Sequence, residues 1–296
     1  MKRFITLVFF LLSTALAFSQ SKALVFQSDF GLKDGAVAAM KGVAYSLSHD
    51  LAMFDLTHEI PAYNIWEGAY RLNQSAFYWP AGTVFVSVVD PGVGSARRSV
   101  VMKSKTGHYF VTPDNGTLTF VAEDLGIAEV RIIDETRNRL KNSNESYTFH
   151  GRDVYAYTGA RLAAGIIRFE EVGDSVLYDV TRLPYTKAAL QNGILYGTID
   201  ILDIQYGNLW TNIGKSLVQQ FGMKQGDKLS IKILNKDKVV YQGEAVFGNT
   251  FSAVAPGKPV MYLNSLLRLA VAINQGNFAE KHKIGSGGDW KIQVSK

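Results

Sequence analysis

The run Thr83-Val84-Phe85-Val86-Ser87-Val88-Val89 is β-branched and aromatic and reads as a buried strand. It stops at Asp90-Pro91-Gly92-Val93-Gly94-Ser95-Ala96-Arg97-Arg98. Proline cannot continue a ladder, so the strand delivers Asp90 to a sheet edge, where ligands of open α/β sheets bind. The two glycines permit positive φ or a close backbone approach to a ligand. Taken alone, the segment is equally a tight turn closed by an Asp–Arg pair.

The segment has company upstream. Ala23-Leu24-Val25-Phe26-Gln27 is a first buried strand ending in Ser28-Asp29-Phe30-Gly31, and Asp34 precedes a helical pattern through Val37, Met40, Val43 and Ala44. Leu51–Leu56 is a second strand, and a helix runs from about Ile65 to Tyr78. Strand, helix, strand, helix, strand with short connections specifies an α/β N-terminal domain with a central, largely parallel sheet. A hairpin around Lys105-Thr106-Gly107, a turn at Pro113-Asp114-Asn115-Gly116, and a helix led by His150-Gly151-Arg152-Asp153 follow. Beyond about residue 185 the pattern changes to short alternating strands: Ile194–Ile204, Leu229–Leu234, Val239–Val246, Val260–Leu263 and Trp290–Val294. This half predicts a smaller all-β C-terminal barrel or sandwich domain. The expected division is 1–20, 21–185 and 186–296.

Residues 1–20 combine Met1-Lys2-Arg3, the apolar run Phe4–Leu12 and the small residues around Ala15-Leu16-Ala17, the pattern of a secretory signal peptide. The apolar run is shorter than the ~20 residues that span a bilayer, so the expectation is an exported, periplasmic or secreted protein with no other membrane attachment. The chain has no cysteine, which excludes disulfides, thiolate metal sites and cysteine nucleophiles. Its net charge of +5 loses Lys2 and Arg3 on cleavage, and the remaining charges are interspersed. No basic patch with interleaved aromatics points to nucleic acid.

Asp29, Asp90 and Asp203 all follow predicted strands, where a carboxylate can accept hydrogen bonds from vicinal hydroxyls or an ammonium. Each is also an ordinary turn or cap residue. Asp203-Ile204-Gln205-Tyr206-Gly207-Asn208-Leu209-Trp210 sets aromatics and amides around one glycine. Aromatics stack on a purine and amides match an adenine edge, although an Asn-driven β-turn has the same composition. Among the histidines, His150 stands at a helix entrance, His58 is expected in a loop, His49 and His108 in turns, and His282 facing solvent. They lack metal spacing, so no metal is expected. Dinucleotide, P-loop and Gly-x-Ser-x-Gly signatures are absent.

Together, Ser-Asp-Phe-Gly (28–31), Asp34, Asp-Pro-Gly-Val-Gly (90–94) with Arg97, Pro-Asp-Asn-Gly (113–116), Phe-His-Gly-Arg-Asp (149–153), Tyr-Gly-Asn (206–208) and Asn-Ser (264–265) closely resemble one family. They occur in the order found in the S-adenosyl-L-methionine hydroxide adenosyltransferases, relatives of the fluorinating and chlorinating enzymes that attack C5′ of that molecule. The resemblance covers essentially all of residues 21–296. It implies an enzyme that hydrolyses S-adenosyl-L-methionine to adenosine and L-methionine by SN2 attack of an activated water on C5′, with no cofactor beyond that substrate. It also implies a homotrimer whose sites lie between the N-domain of one subunit and the C-domain of its neighbour.

In that resemblance Asp90, Arg97 and His150 form the water-activating triad. Asp29 accepts both ribose hydroxyls, Tyr63 lies against the ligand, and Phe149 is a further substrate-binding residue. Tyr206, Asn208 and Phe251 build the adenine pocket, and Asp34, Asp203 and Ser265 hold the methionine end. Halogenating relatives carry tyrosine where this chain has His150, and the fluorinating branch has a long insertion where this chain has only about Ser104–His108. Leu267 stands where relatives often have glycine, and Gln205 is atypical. A halide adenosyltransferase and a non-catalytic periplasmic protein binding adenosyl ligands are the alternatives.

Overall fold

A computed structural model describes residues 23–176 and 179–296. The proposed signal segment lies outside the described residues. The N-terminal half builds a seven-stranded sheet from β1 (Ala23–Ser28), β2 (Ala52–Thr57), β3 (Val84–Val88), β4 (Ser99–Ser104), β5 (Tyr109–Pro113), β6 (Ile127–Ile132) and β7 (Ser175–Val176). Their order is β2-β1-β3-β5-β4-β6-β7. The first four positions pair in parallel, and β4, β6 and β7 add an antiparallel flank.

Alternation along β1 and β3 explains why both faces of this sheet are covered. Leu24, Phe26, Val84, Val86 and Val88 face one core with Val37, Met40 and Ala44 of α1 (Ala36–Leu47). Val25 and Phe85 face another with Leu72 and Ala76 of α2 (Ile65–Ala76). Asn64 caps α2, its side chain accepting the Glu67 N–H at 3.0 Å. A short α3 (Thr119–Asp124) follows β5. The helix led by His150 begins as a π-helical segment, Gly151–Ala156, and continues as α4 (Tyr157–Ala163).

The C-terminal half contains β8 (Ala189–Gln191), β9 (Ile194–Asp203), β10 (Asn208–Gly214), α5 (Lys215–Phe221), β11 (Lys228–Asn235), β12 (Lys238–Phe247), β13 (Pro259–Leu263), β14 (Arg268–Ile273), α6 (Phe278–His282) and β15 (Trp290–Ser295). Pairing of β10 with both β14 and β9 closes seven strands into a barrel, with β8 appended to β9. The choice between barrel and sandwich is therefore settled by β10 and β14, two strands that sequence patterning did not resolve. Leu269-Ala270-Val271-Ala272-Ile273 is apolar at every position, which hides its period. Leu269, Val271 and Ile273 fill the barrel with Ile231, Ile233, Ile292 and Val294.

The halves meet where α2 and α3 lie on β9. Trp66 Nε1 donates to the Asp200 carbonyl at 2.6 Å, and Arg268 pairs with Asp124 at 3.2 Å. Three histidines are more enclosed than their local sequence shows, although His58 and His108 do lie in the loop and turn expected of them. His58 and His108 are buried, the latter bonded to Thr106 and the Trp79 carbonyl. His282 packs its ring against Tyr241 and Phe278 instead of facing open solvent.

Candidate active site

The Asp90 turn folds back on itself. The Val93 N–H donates to the Asp90 carbonyl, and Gly94 adopts φ +76° with its Cα against the Tyr147 carbonyl, where a Cβ would come within 3.3 Å. The reversal brings Arg97 over Asp90. Arg97 Nε and Nη2 reach the two carboxylate oxygens at 2.8 and 2.5 Å, and Nη1 donates to Ser99 Oγ at 2.9 Å. Nη2 also contacts His150 Nδ1 at 3.1 Å, and Ser99 Oγ reaches Tyr155 OH at 3.2 Å. Asp90, Arg97 and His150, far apart in sequence, are thus one hydrogen-bonded cluster.

The electrostatics follow from burial. The Asp90 and Arg97 side chains are 5% and 11% exposed, so their attraction is little screened. Burial pushes the Arg97 pKa down, but the Asp90 hydrogen bond together with the charge interactions of Tyr155, Asp90 and Glu135 outweighs it and leaves the guanidinium above its usual value. Burial lowers the His150 pKa, with Arg97 and Arg139 adding to it against the opposing pull of Glu135 and Asp90. A guanidinium only donates, so His150 Nδ1 accepts and the neutral ring carries its proton on Nε2. His150 Nε2 has no hydrogen-bond partner among the described residues.

A cavity of about 480 Å³ opens on this cluster, lined by Asp29, Phe30, Tyr63, Asp90, Phe149 and His150 with neighbouring backbone. Phe30 meets Phe149 edge to face at 5.8 Å, and Gly151 admits the Phe30 ring, since a Cβ there would sit 3.0 Å from it. Asp29 Oδ2 accepts the Tyr63 N–H at 2.9 Å, and Tyr63, at φ +68°, is 73% exposed. Asp34 does not line this cavity; its Oδ1 accepts the Ala36 N–H at the start of α1.

A second cavity of about 550 Å³ lies at the barrel end, where Asp203, Tyr206, Asn208, Phe251 and Ser265 converge with Trp210 and Tyr262. The turn after β9 makes it: Gly207, at φ +66°, donates its N–H to the Asp203 carbonyl at 2.7 Å, and Asn208 Nδ2 donates to Asp203 Oδ2 at 3.2 Å. Phe251 leans on Tyr262 at 4.8 Å. Asn264 Oδ1 accepts the Leu266 and Arg268 N–H groups, holding Leu267 at φ +56°, a conformation that glycine takes more easily. Asn264 Nδ2 has no partner among the described residues.

Among the described residues, none lines both cavities. The N-domain and C-domain candidates therefore form two separate half-sites within one chain, with Asp34 lining neither. Phe30, Trp210 and Asn264 stand in quoted motifs without an assigned role, Tyr262 lies in a predicted strand, and Asn277 at the second cavity carries no sequence signal. No cluster of three or more His, Asp or Glu suited to a metal ion occurs among the described residues.

The family model of the SAM hydroxide adenosyltransferase N-terminal domain matches residues 24–173, and that of the C-terminal domain matches residues 197–291. A Methanocaldococcus jannaschii protein named (R)-S-adenosyl-L-methionine hydrolase is 39% identical over 216 residues, 72% of this chain and 73% of that protein. A fluorinase of an Actinoplanes species is 29% identical over 289 residues, 89% of this chain and 95% of that one. Among solved structures, that of a conserved protein from Thermotoga maritima aligns with a TM-score of 0.82 at 32% identity, covering 92% of this chain and all of the other.

Proposed function

The chain belongs to the SAM hydroxide adenosyltransferase family, and we propose that it hydrolyses S-adenosyl-L-methionine to adenosine and L-methionine. The observation that carries this reading is the Asp90–Arg97–His150 cluster at the wall of the first cavity. Its residue types match the hydroxide-using branch, and the relatives named as hydrolases extend over most of this chain.

The chemistry needs little acid catalysis. Methionine leaves as a neutral thioether, so the demand is an oxygen nucleophile in line with the C5′–S bond and partly stripped of water. In this reading the His150 Nε2–H donates to the water oxygen and the Asp90 carboxylate accepts the water proton. The new bond joins that oxygen to C5′, the C5′–S electrons return to sulfur, and one proton is released overall. Arg97 keeps Asp90 in place and fixes the His150 tautomer.

The ribose end fits the first cavity, with Asp29 as acceptor and Tyr63 and Phe149 as walls. The adenine fits Tyr206, Asn208 and Phe251, and Asp203 and Ser265, with Asp34, suit the amino-acid end. The separation of the half-sites within one chain supports a trimer in which each site joins two subunits. A gel-filtration mass of one subunit counts against it. Export is supported by the basic, apolar and small-residue order of residues 1–20; an alkaline phosphatase fusion that stays inactive in the cytoplasm and works outside it tests this.

Purified protein incubated with S-adenosyl-L-methionine, with and without chloride, is expected to yield adenosine and methionine at the same rate in both. His150→Ala and Asp90→Ala are expected to retain binding and lose turnover. Tight binding without product refutes hydrolysis, and 5′-chloro-5′-deoxyadenosine forming faster than adenosine establishes the halide reaction instead.

A further inference from the structure

Behind Asp29 lies a second chain of polar side chains that the reaction above does not use. Lys41 Nζ pairs with Asp55 Oδ2 at 2.6 Å, Asp55 Oδ1 faces His58 Nε2 at 3.0 Å, and His58 Nδ1 faces Ser28 Oγ at 2.7 Å. The Phe30 N–H donates to Ser28 Oγ at 3.3 Å. Burial alone would raise the Asp55 pKa, but hydrogen bonds from Lys41 and His58 outweigh it and hold the carboxyl below its usual value. An ionised Asp55 only accepts, so Nε2 carries a proton. In the neutral ring Nδ1 then accepts the Ser28 O–H, so the chain has a single direction.

These are the residue types of an acyl-transfer triad, but the arrangement is a different device. Serine sits on Nδ1 and aspartate on Nε2, the reverse of that triad, and Ser28 is fully buried with its oxygen engaged by backbone. A β-bulge explains how His58 reaches this place. The β1–β2 register passes from Phe26↔Asp55 to Gln27↔Thr57, leaving Leu56 as an extra residue that re-aims the chain after β2.

Two loops are stitched together by this arrangement. Ser28 bonds the His58 ring, the Gly31 N–H donates to the His58 carbonyl at 2.8 Å, and the Tyr63 N–H donates to Asp29 Oδ2 at 2.9 Å. Asp29 therefore sits in a segment bonded to His58 on both sides, through the Ser28 hydroxyl and the Gly31 N–H, while Tyr63 holds its carboxylate. We propose that His58, held by Asp55 and Ser28, is a positioning residue that sets the Asp29 carboxylate for the ribose hydroxyls. The proposal rests on the reading that Asp29 binds the ribose.

The test compares S-adenosyl-L-methionine with its 2′-deoxyribose analogue, reading the ratio of kcat/KM for the two substrates in the full chain. A hydroxyl bonded to a carboxylate is worth on the order of 10- to 100-fold in the unmodified protein. Asp29→Asn is expected to bring the ratio to about threefold or less. His58→Ala and Ser28→Ala are expected to follow it, with KM for the normal substrate rising about tenfold and kcat changing less. His58→Gln, which keeps a donor for Asp55, is expected to recover part of the ratio.

A merely structural role lowers the active fraction and the melting temperature but leaves the ratio untouched, because both substrates meet the same molecules. If Asp29→Asn retains full discrimination, the ribose reading falls and the proposal with it. If Asp29→Asn loses discrimination while soluble His58→Ala and Ser28→Ala keep it, only the positioning role is overturned. Should His58→Ala fail to fold, Ser28→Ala, which removes one hydroxyl, decides the matter by the same ratio.

Discussion

Arg97→Lys puts the most direct strain on the proposed chemistry, because charge is preserved and only the geometry of donation changes. The guanidinium makes four contacts: two to Asp90, one to Ser99 and one to His150 Nδ1. A single ammonium cannot span both carboxylate oxygens and also reach the imidazole. At least the second Asp90 contact and the His150 contact are lost, each worth about 1.5–3 kcal/mol when one partner is charged. Screening takes little of this away, since the Asp90 and Arg97 side chains are 5% and 11% exposed. If about half of the combined loss falls on the transition state, turnover drops by roughly 10- to 100-fold, with the remainder appearing as reduced stability. KM is expected to stay within a few-fold, because Arg97 does not line the cavity. Initial rates of adenosine formation, with the melting temperature as control, measure both parts. A folded Arg97→Lys protein that turns over within threefold of the unmodified enzyme refutes the assignment of the cluster as the water-activating machinery.

Asp200, on β9 at the contact with α2 and α3, has its pKa raised to about 8 by burial, with Asp124 and Glu123 adding and Arg268 and Lys187 opposing. The native state therefore holds a proton that the unfolded chain releases above its usual 3.8, so stability falls as pH rises through that window and levels off above about 8. The slope is about 1.4 kcal/mol per pH unit, or roughly 4 kcal/mol between pH 5 and pH 8. Asp200→Asn is expected to lack this component in urea unfolding, and equal pH dependence in the two proteins contradicts it. Gly207→Ala places a Cβ 1.7 Å from Asn277 Oδ1, which caps α6 by accepting the Glu280 N–H, and does so at φ +66°. Losing the cap and forcing alanine into the left-handed region cost about 2 kcal/mol together. KM is expected to rise as well, since Tyr206 and Asn277 line the second cavity; an unchanged melting temperature and KM count against this packing account.

The α/β half was legible because its strands are bounded by strong punctuation. Pro91 and Gly92 end the chain's run after β3, and the helix expected from about Ile65 to Tyr78 is α2, which stops at Ala76. The barrel was legible only as a series of β segments. β14 is apolar at nearly every position, and β10 begins in the turn chemistry of Gly207-Asn208, so neither shows a clean period. His58 read as a loop histidine because nothing local to Thr57-His58-Glu59 tells of Ser28, whose hydroxyl lies 30 residues away. Asp200 read as one more position in a strand, because its burial comes from α2 and α3, supplied by the other half of the chain.

Residue types and their order determine much by themselves: the alternation of strand and helix, the change to β structure near residue 185, and the acid at the end of each of three strands. Those features are local, written in periodicity, proline and glycine. Tertiary structure alone decided the rest, because partners brought from distant segments set burial, hydrogen-bond direction and protonation. It brought Arg97 between Asp90 and His150, put the proton of the neutral His150 ring on Nε2, and tied Asp29 to His58 through Ser28. It also gave the N-domain and C-domain groups of candidate residues their separate cavities and left Asp34 outside both, because only the folded backbone fixes which side chains share a concave surface.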